Sequence, residues 1–147
     1  MSAEAAVRLA RSALYVPGDA PEKLRGALGR GADELIVDLE DAVAPDRKAL
    51  ARDIVATWLD GLESTDVGIW VRVNSGAVAL EDIRAIGEAE SLTGVVLAKA
   101  ESAAEVAAAA AVLDELGSEA RIVPLLETST AILRAAEIAA APRVHRL

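Results

Sequence analysis

Five short apolar segments alternate with helical patterns along the chain, and this alternation restricts the possible folds more than any other feature. The apolar segments predict strands at residues 12–16, 34–41, 68–74, 94–99 and 120–126. Helix-start signals, helical spacing or capping residues place helices after them, near residues 19, 45, 80, 102 and 128. Strands that alternate with helices are typical of a parallel sheet with crossover helices. The sequence therefore predicts an α/β fold.

Two α/β architectures are compatible with this order of elements. An open, doubly wound sheet of five strands fits the 147 residues. A (β/α)₈ barrel usually needs about 250 residues. Chain length alone therefore favours the open sheet.

The polar residues at the strand ends favour the barrel instead. Side chains alternate between the faces of a strand, so Asp38 and Glu40 share one face of the second strand with Ile36. Charged or amide side chains end four successive strands, and we expect them at one mouth: Asp38 and Glu40, Arg72 and Asn74, Lys99, Glu127. A barrel gathers such groups at its C-terminal mouth. We therefore predict a (β/α)₈ TIM barrel of which residues 1–147 form the first five β/α units and, from Val144, the start of strand six.

The acidic end of the second strand indicates a binding site. Asp38, Glu40 and Asp41 follow a buried apolar run. Buried carboxylates cost several kcal/mol each unless a cation or hydrogen-bond donors meet them. We expect a cation at this strand end.

The residue types at the predicted mouth suit one chemistry well. Carboxylate oxygens without His or Cys favour Mg²⁺, and Glu127 adds a further carboxylate to the acidic cluster. Arg72 is well shaped to bind a carboxylate with two hydrogen bonds. Together they would polarise a 2-oxo acid, which indicates metal-assisted making or breaking of carbon–carbon bonds. Two alternatives remain open: salt bridges at the sheet rim, and a Schiff-base role for Lys99.

Composition excludes other classes of function. The formal net charge of −9 argues against a nucleic-acid partner. The absence of cysteine excludes disulfides and thiolate metal sites. No apolar stretch has the length of a membrane span, and residues 1–11 lack the apolar region of a signal peptide. We expect a cytoplasmic protein without a membrane partner.

The ordered motifs resemble those of the citrate lyase β-subunit-like family, whose relatives include malyl-CoA lyases and metal-dependent 2-oxo acid aldolases. The resemblance covers nearly the whole chain and rests on residues 11–18 (RSALYVPG), residues 38–43 (DLEDAV) with Lys48 and Arg52, residues 72–74 (RVN), Lys99, and Glu127 with Thr128. It implies a barrel enzyme with Mg²⁺ as cofactor. It implies a lyase or synthase reaction between an acyl-CoA or acyl-carrier thioester and a 2-oxo acid such as oxaloacetate or glyoxylate. A homo-oligomer is implied for the full-length form.

The resemblance also implies roles for individual residues. Glu127 matches a direct Mg²⁺ ligand, and Arg72 matches the arginine that holds the oxo acid. Glu40 and Asp41 match catalytic carboxylates that bind the metal's waters. Pro17 and Gly18 lie where the phosphates of the thioester would pass. Asp38, Asn74 and Lys99 take supporting positions.

Some features depart from the family pattern. Ala98 replaces a common proline, and Ala131 replaces a common glycine. The family's second metal-ligating carboxylate, an aspartate, is expected just beyond Leu147. We therefore expect residues 1–147 to form a single, C-terminally incomplete domain that is inactive alone, unless it oligomerises to complete its barrel. The alternative function is a non-catalytic open α/β regulatory module that binds Mg²⁺ or a phosphorylated ligand.

Overall fold

The fold is an α/β arrangement with one parallel sheet, as the sequence predicts. A computed structural model of the protein describes residues 9–147. In chain order the elements are β1 (Ala13–Pro17), α1 (Pro21–Ala27), β2 (Glu34–Asp38), α2 (Lys48–Asp60), β3 (Gly68–Val73), α3 (Gly76–Ile86), β4 (Gly94–Leu97), α4 (Ala103–Glu115), β5 (Arg121–Pro124), α5 (Ser129–Leu133) and α6 (Ala135–Ala139). Short 3-10 turns at Leu28–Arg30 and Pro45–Arg47 follow α1 and precede α2.

Each strand of the sheet pairs in parallel with the next strand in sequence. The spatial order is β1-β2-β3-β4-β5, without a reversal among the strands of residues 9–147. A doubly wound sheet reverses its strand order at a switch point, so the described strands do not follow that alternative. At the outer edge of β5, Val144 forms a parallel bridge with Ile122. The chain thus returns to the sheet at the next position in the same order.

The two faces of the sheet are packed differently. On one face, alternate strand residues such as Val37, Val71 and Val95 join the inward residues of the helices in one large core. On the other face, a small apolar cluster contains strand residues alone: Ile36, Trp70, Val96 and Val123, with Leu125 beside them. The helices therefore cover one face, and the other face carries the residues that alternation placed beside Asp38 and Arg72.

The helix boundaries agree with the sequence where side-chain caps determine them. Ser102 caps α4 by accepting a hydrogen bond from the Glu105 amide at 3.3 Å, as expected of a capping box. Thr128 caps α5 in the same way through the Ala131 amide, at 3.1 Å. Asp19, predicted as a helix-start residue, instead accepts a 2.7 Å hydrogen bond from Arg47, and α1 has no side-chain cap.

Two helices differ from the sequence prediction. Helix α3 begins at Gly76, one turn before the predicted start at Leu80. The sequence does not predict this first turn, because its mostly small residues show little apolar periodicity. The predicted single last helix is divided into α5 and α6, because the backbone at Arg134 leaves the helical region (φ −104°, ψ 12°). Across residues 9–147, every helix is too short or too polar to cross a lipid bilayer.

Candidate active site at the carboxyl ends of the strands

Asp38 and Arg72 occupy paired positions at the ends of β2 and β3. Arg72 donates from Nε to Oδ1 of Asp38 at 2.8 Å and from Nη2 to Oδ2 at 2.7 Å. This two-bond geometry is the strong form of an arginine–carboxylate pair. The predicted acidic strand end thus meets its cation on the neighbouring strand.

Asp38 is buried and also organises the loop that follows β2. Its oxygens accept hydrogen bonds from the amides of Glu40 and Ala42, each at 2.9 Å. Burial alone would raise the pKa of Asp38, but the hydrogen bonds from Arg72 and from these two amides outweigh burial, and the pKa is lowered. Asp38 is therefore a charged residue that supports Arg72 and shapes the loop carrying Glu40 and Asp41.

Arg72 has contacts on more than one side. Its Nη1 lies 3.5 Å from Oε2 of Glu40, and its Cζ lies 5.0 Å from the centre of the Tyr15 ring. The hydrogen bonds to Asp38 raise the pKa of Arg72 above its already high value. The sequence does not predict Tyr15 as a site residue. The signal for it is register: Tyr15 is paired with Ile36, which lies on the same face as Asp38.

Lys99 links the carboxylates of β2 to the segment after β5. Its ammonium forms an ion pair with Glu40 and lies 3.7 Å from Oδ1 of Asp41. Its backbone amide donates a 2.9 Å hydrogen bond to Oε2 of Glu127. The hydrogen bond that the Lys99 ammonium donates to Glu40 is the main reason that the pKa of Lys99 is raised. A raised pKa keeps the amine protonated, which argues against the Schiff-base alternative.

The backbone at Lys99 explains how its side chain reaches this site. Strict alternation places Lys99 on the same face as Leu97, which packs in the helix-side core. Lys99 instead has φ 52°, in the left-handed region that few residues other than glycine adopt. The chain therefore turns after β4, and the ammonium points to Glu40.

The turn at Pro17 and Gly18 packs against the acidic loop. The Gly18 amide donates a 2.8 Å hydrogen bond to the carbonyl of Asp38. A Cβ atom at Gly18 would lie 2.9 Å from that carbonyl oxygen and from Cδ2 of Leu39. The Gly18 amide is thus engaged within the protein, and the observed role of the glycine is close packing behind Asp38.

Asn74 is oriented away from the predicted mouth. Strand alternation predicts its side chain beside Arg72, but its amide nitrogen donates a 2.8 Å hydrogen bond to Oδ2 of Asp82 in α3. The position lies just beyond β3, where strand alternation no longer applies. Asn74 belongs to a buried network under the site rather than to its open surface.

The donor set at the strand ends fits a magnesium ion in its chemistry. Glu40 and Asp41 are consecutive and both face the Lys99 ammonium, and Glu127 lies beside the Lys99 backbone. In residues 9–147 no three His or acidic side chains lie close enough to form a complete metal cage. Mg²⁺ does not require one, because it is usually held by one or two carboxylates, waters and the oxygens of its substrate.

Comparison with protein families identifies the group to which this site belongs. The model of a family described as HpcH/HpaI aldolase/citrate lyase matches residues 11–147. The chain belongs to this family. This match confirms the resemblance that the motifs predict. The matched segment includes every candidate site residue.

Individual relatives agree with the family assignment. A (3S)-malyl-CoA thioesterase of Cereibacter sphaeroides is 38% identical over 136 residues, which cover 91% of this chain and 46% of the relative. A citrate lyase subunit beta-like protein of Mycobacterium tuberculosis is 38% identical over 131 residues, covering 87% of this chain and 42% of the relative.

A solved structure extends the comparison to three dimensions. The citrate lyase beta subunit of M. tuberculosis complexed with oxaloacetate and magnesium matches with a TM-score of 0.73 and 34% identity, over 93% of this chain and 56% of the other. This family member therefore spans about half the length of the relatives that it matches.

Proposed function

We propose that the protein acts as a Mg²⁺-dependent carbon–carbon lyase or synthase on an acyl-CoA thioester and a 2-oxo acid. One observation carries the proposal: Arg72, held by Asp38, lies at the same end of the sheet as Glu40 and Glu127. An arginine and acidic oxygen donors are what a carboxylate substrate and a hard metal ion require. The oxaloacetate and magnesium bound to the M. tuberculosis relative are ligands of those two kinds.

We infer that the sheet is an arc of a (β/α)₈ barrel. The sequential strand order, the single helix layer and the return of Val144 beside Ile122 all support this arrangement. In such a barrel the carboxyl ends of the strands form the active-site mouth. The ends of β2 and β3 and the segments after β4 and β5 would then face a common centre.

In this proposal Arg72 binds the carboxylate of the oxo acid. Asp38 occupies Nε and Nη2, and Nη1, which lies 3.5 Å from Oε2 of Glu40, has a second hydrogen that it would donate to a substrate. Because Asp38 is itself buried and charged, it holds the guanidinium in one orientation before substrate arrives. Arg72 thus contributes binding and orientation, and its positive charge favours negative charge on the substrate.

Glu127 would hold Mg²⁺ directly, and Glu40 and Asp41 would bind its waters. When bound, Mg²⁺ supplies a Lewis acid that stabilises negative charge on substrate oxygens. Lys99 contacts all three carboxylates, with its ammonium at Glu40 and Asp41 and with its backbone amide at Glu127. The turn at Pro17 and Gly18 lies behind Asp38 and is proposed as the side from which the thioester enters.

A second candidate reaction is hydrolysis of the thioester. It is favoured by the C. sphaeroides relative, which is named a malyl-CoA thioesterase. The two reactions break different bonds of the same substrate. With malyl-CoA, cleavage of the carbon–carbon bond gives acetyl-CoA and glyoxylate, whereas hydrolysis gives free CoA and malate.

Product analysis with the full-length protein tests the proposal. Malyl-CoA and citramalyl-CoA would be incubated with and without Mg²⁺, and acyl-CoA, free CoA and oxo acid would be quantified. We expect Mg²⁺-dependent release of acetyl-CoA and an oxo acid. Free CoA without an oxo acid would favour the hydrolase, and no Mg²⁺-dependent turnover of either kind would refute both.

The variant Glu127→Ala tests the metal assignment in the same assay. We expect the activity to fall by more than the roughly 10–100-fold that is typical when a residue supporting a metal ligand is replaced. Glu137→Ala, which removes an exposed glutamate from α6, is the matched control and should retain activity. Unchanged activity of Glu127→Ala would remove Glu127 from the site.

A further inference from the structure

Helix α2 carries two cationic side chains, one turn apart, that reach the loops behind the candidate site. Lys48 and Arg52 are spaced i and i+4, so both lie on the same side of the helix. Lys48 is partly buried, and its Nζ donates to the main-chain carbonyls of Leu39, at 2.8 Å, and Glu40. A lysine that binds two consecutive carbonyls fixes the path of the chain there. The fixed segment is the loop that carries Glu40 and Asp41.

Arg52 reaches the neighbouring loop through a buried aspartate. Its Nε donates a 2.8 Å hydrogen bond to Oδ1 of Asp82, which is 1% exposed. Oδ2 of Asp82 accepts from both the backbone amide and the side-chain amide of Asn74, at 2.9 and 2.8 Å. Asn74 follows Arg72 by two residues. The network therefore fixes the chain directly after the strand that carries Arg72.

The chemistry of these contacts indicates more than packing. Asp82 receives three donors, so its charge is fully compensated despite its burial. An apolar residue could fill the same volume, but it could not orient a backbone amide. Lys48, Arg52 and Asp82 share no bond with the Glu40, Asp41 or Glu127 carboxylates in the described contacts. They act on the main chain beneath the site.

We propose that Lys48 and the Arg52–Asp82 pair are positioning residues, through which α2 sets the two loops of the active site. Lys48 positions the Glu40 loop, and Asp82 positions the segment after Arg72. The kinetic part of this inference rests on the proposed lyase function, whereas the structural part does not. Loss of either group should loosen its own loop and leave the other in place.

Residue-resolved hydrogen exchange on the chain tests the structural part without substrate. In Lys48→Met we expect amides of residues 39–42 to exchange about tenfold faster or more, since charged hydrogen bonds are lost. The Asn74 amide should not change. In Asp82→Asn we expect the Asn74 amide to exchange faster and the amides of residues 39–42 not to change, because an uncharged amide cannot satisfy all three donors. Lys23→Met and Asp60→Asn, at exposed positions with the same chemical changes, are the matched controls.

Kinetics of the full-length protein test the positioning role. Asp82→Asn should mainly raise KM for the oxo acid, because Arg72 binds it, and Lys48→Met should mainly lower kcat. Lys48→Arg keeps a cationic donor and should restore most of the lost rate. Arg52→Lys keeps the charge beside Asp82 and provides a milder variant if Asp82→Asn does not fold.

The outcomes separate this inference from the proposed function. Exchange that rises evenly along the chain, in proportion to a lower melting temperature, would overturn the positioning role. Local exchange with unchanged kcat and KM would also overturn it. If the unaltered full-length protein shows no lyase activity, the proposed function fails, and the exchange pattern alone supports or overturns the link between α2 and the loops.

Discussion

Arg72 donates a hydrogen bond to each carboxylate oxygen of Asp38, and Asp38 in turn accepts hydrogen bonds from the amides of Glu40 and Ala42 in the loop after β2. Asp38→Asn keeps the size of the side chain but removes the charge and one acceptor. We expect a loss of about 1.5–3 kcal/mol in the free energy of unfolding, the range for hydrogen bonds to charged groups. Chemical denaturation of both proteins measures it, with the exposed Asp46→Asn as control. A change equal to that of the control would contradict the structural role of the pair.

The lowered pKa of Asp38 predicts a particular dependence of stability on pH. The folded-state pKa lies below the unfolded value of about 3.9, so the stabilisation is complete above that value. It is lost as the pH falls through the folded-state pKa, because the unfolded chain binds the proton first. Unfolding free energies measured from pH 6 down to pH 2 should therefore fall less steeply in Asp38→Asn than in the unaltered chain. Parallel curves would assign the acid sensitivity to other carboxylates.

Gly18 and Gly26 should respond oppositely to the same substitution. An added Cβ at Gly18 meets the Asp38 carbonyl and two side chains at 2.9 to 3.0 Å, whereas Gly26 in α1 has nothing within 4 Å. We expect Gly18→Ala to cost about 1–3 kcal/mol through overpacking. Gly26→Ala should stabilise by about 0.4–1 kcal/mol, because alanine has less freedom to lose in a helix. Melting curves of the two variants decide, and equal shifts would argue against tight packing behind Asp38.

Lys99 and Mg²⁺ should compete for the same carboxylates. The Lys99 ammonium faces Glu40 and Asp41, while its backbone amide, which substitution retains, holds Glu127. Lys99→Met should lower the Kd for Mg²⁺ by roughly two- to fivefold, as expected for an exposed charge. Titration calorimetry with Mg²⁺ alone measures this, and Lys23→Met is the control. Weaker binding in Lys99→Met would mean that the lysine assembles the site rather than competing with the ion.

The sequence predicts the fold and the centre of the site because both depend on regular strands. Asp38 and Arg72 lie within β2 and β3, where alternation holds, and their pairing follows from register. Lys99 and Asn74 lie beyond the strand ends, where alternation carries no information. The left-handed backbone at Lys99 and the capture of Asn74 by Asp82 are determined by tertiary contacts.

Residues that act through the main chain or through an aromatic face leave even less trace in the sequence. Lys48 gives no sign of its two carbonyl partners, since any surface lysine has the same local pattern. In the sequence, Tyr15 is one more apolar residue of a predicted strand. Its contact with Arg72 is found only in the structure. Asp82 follows a glutamate on a helix and reads as a solvated charge, yet it is buried. Such residues are identified only from the packing of neighbouring elements in the structure.

The separation of the two faces of the sheet has an evolutionary consequence. The large core lies between the strands and the helices, while the reactive groups lie at the strand ends and in the segments that follow them. Substitutions among these groups can therefore change the chemistry without altering the residues of the large core. Selection can act on chemistry and on core packing at different positions of one gene. A family with relatives named both thioesterase and lyase is what such independence allows.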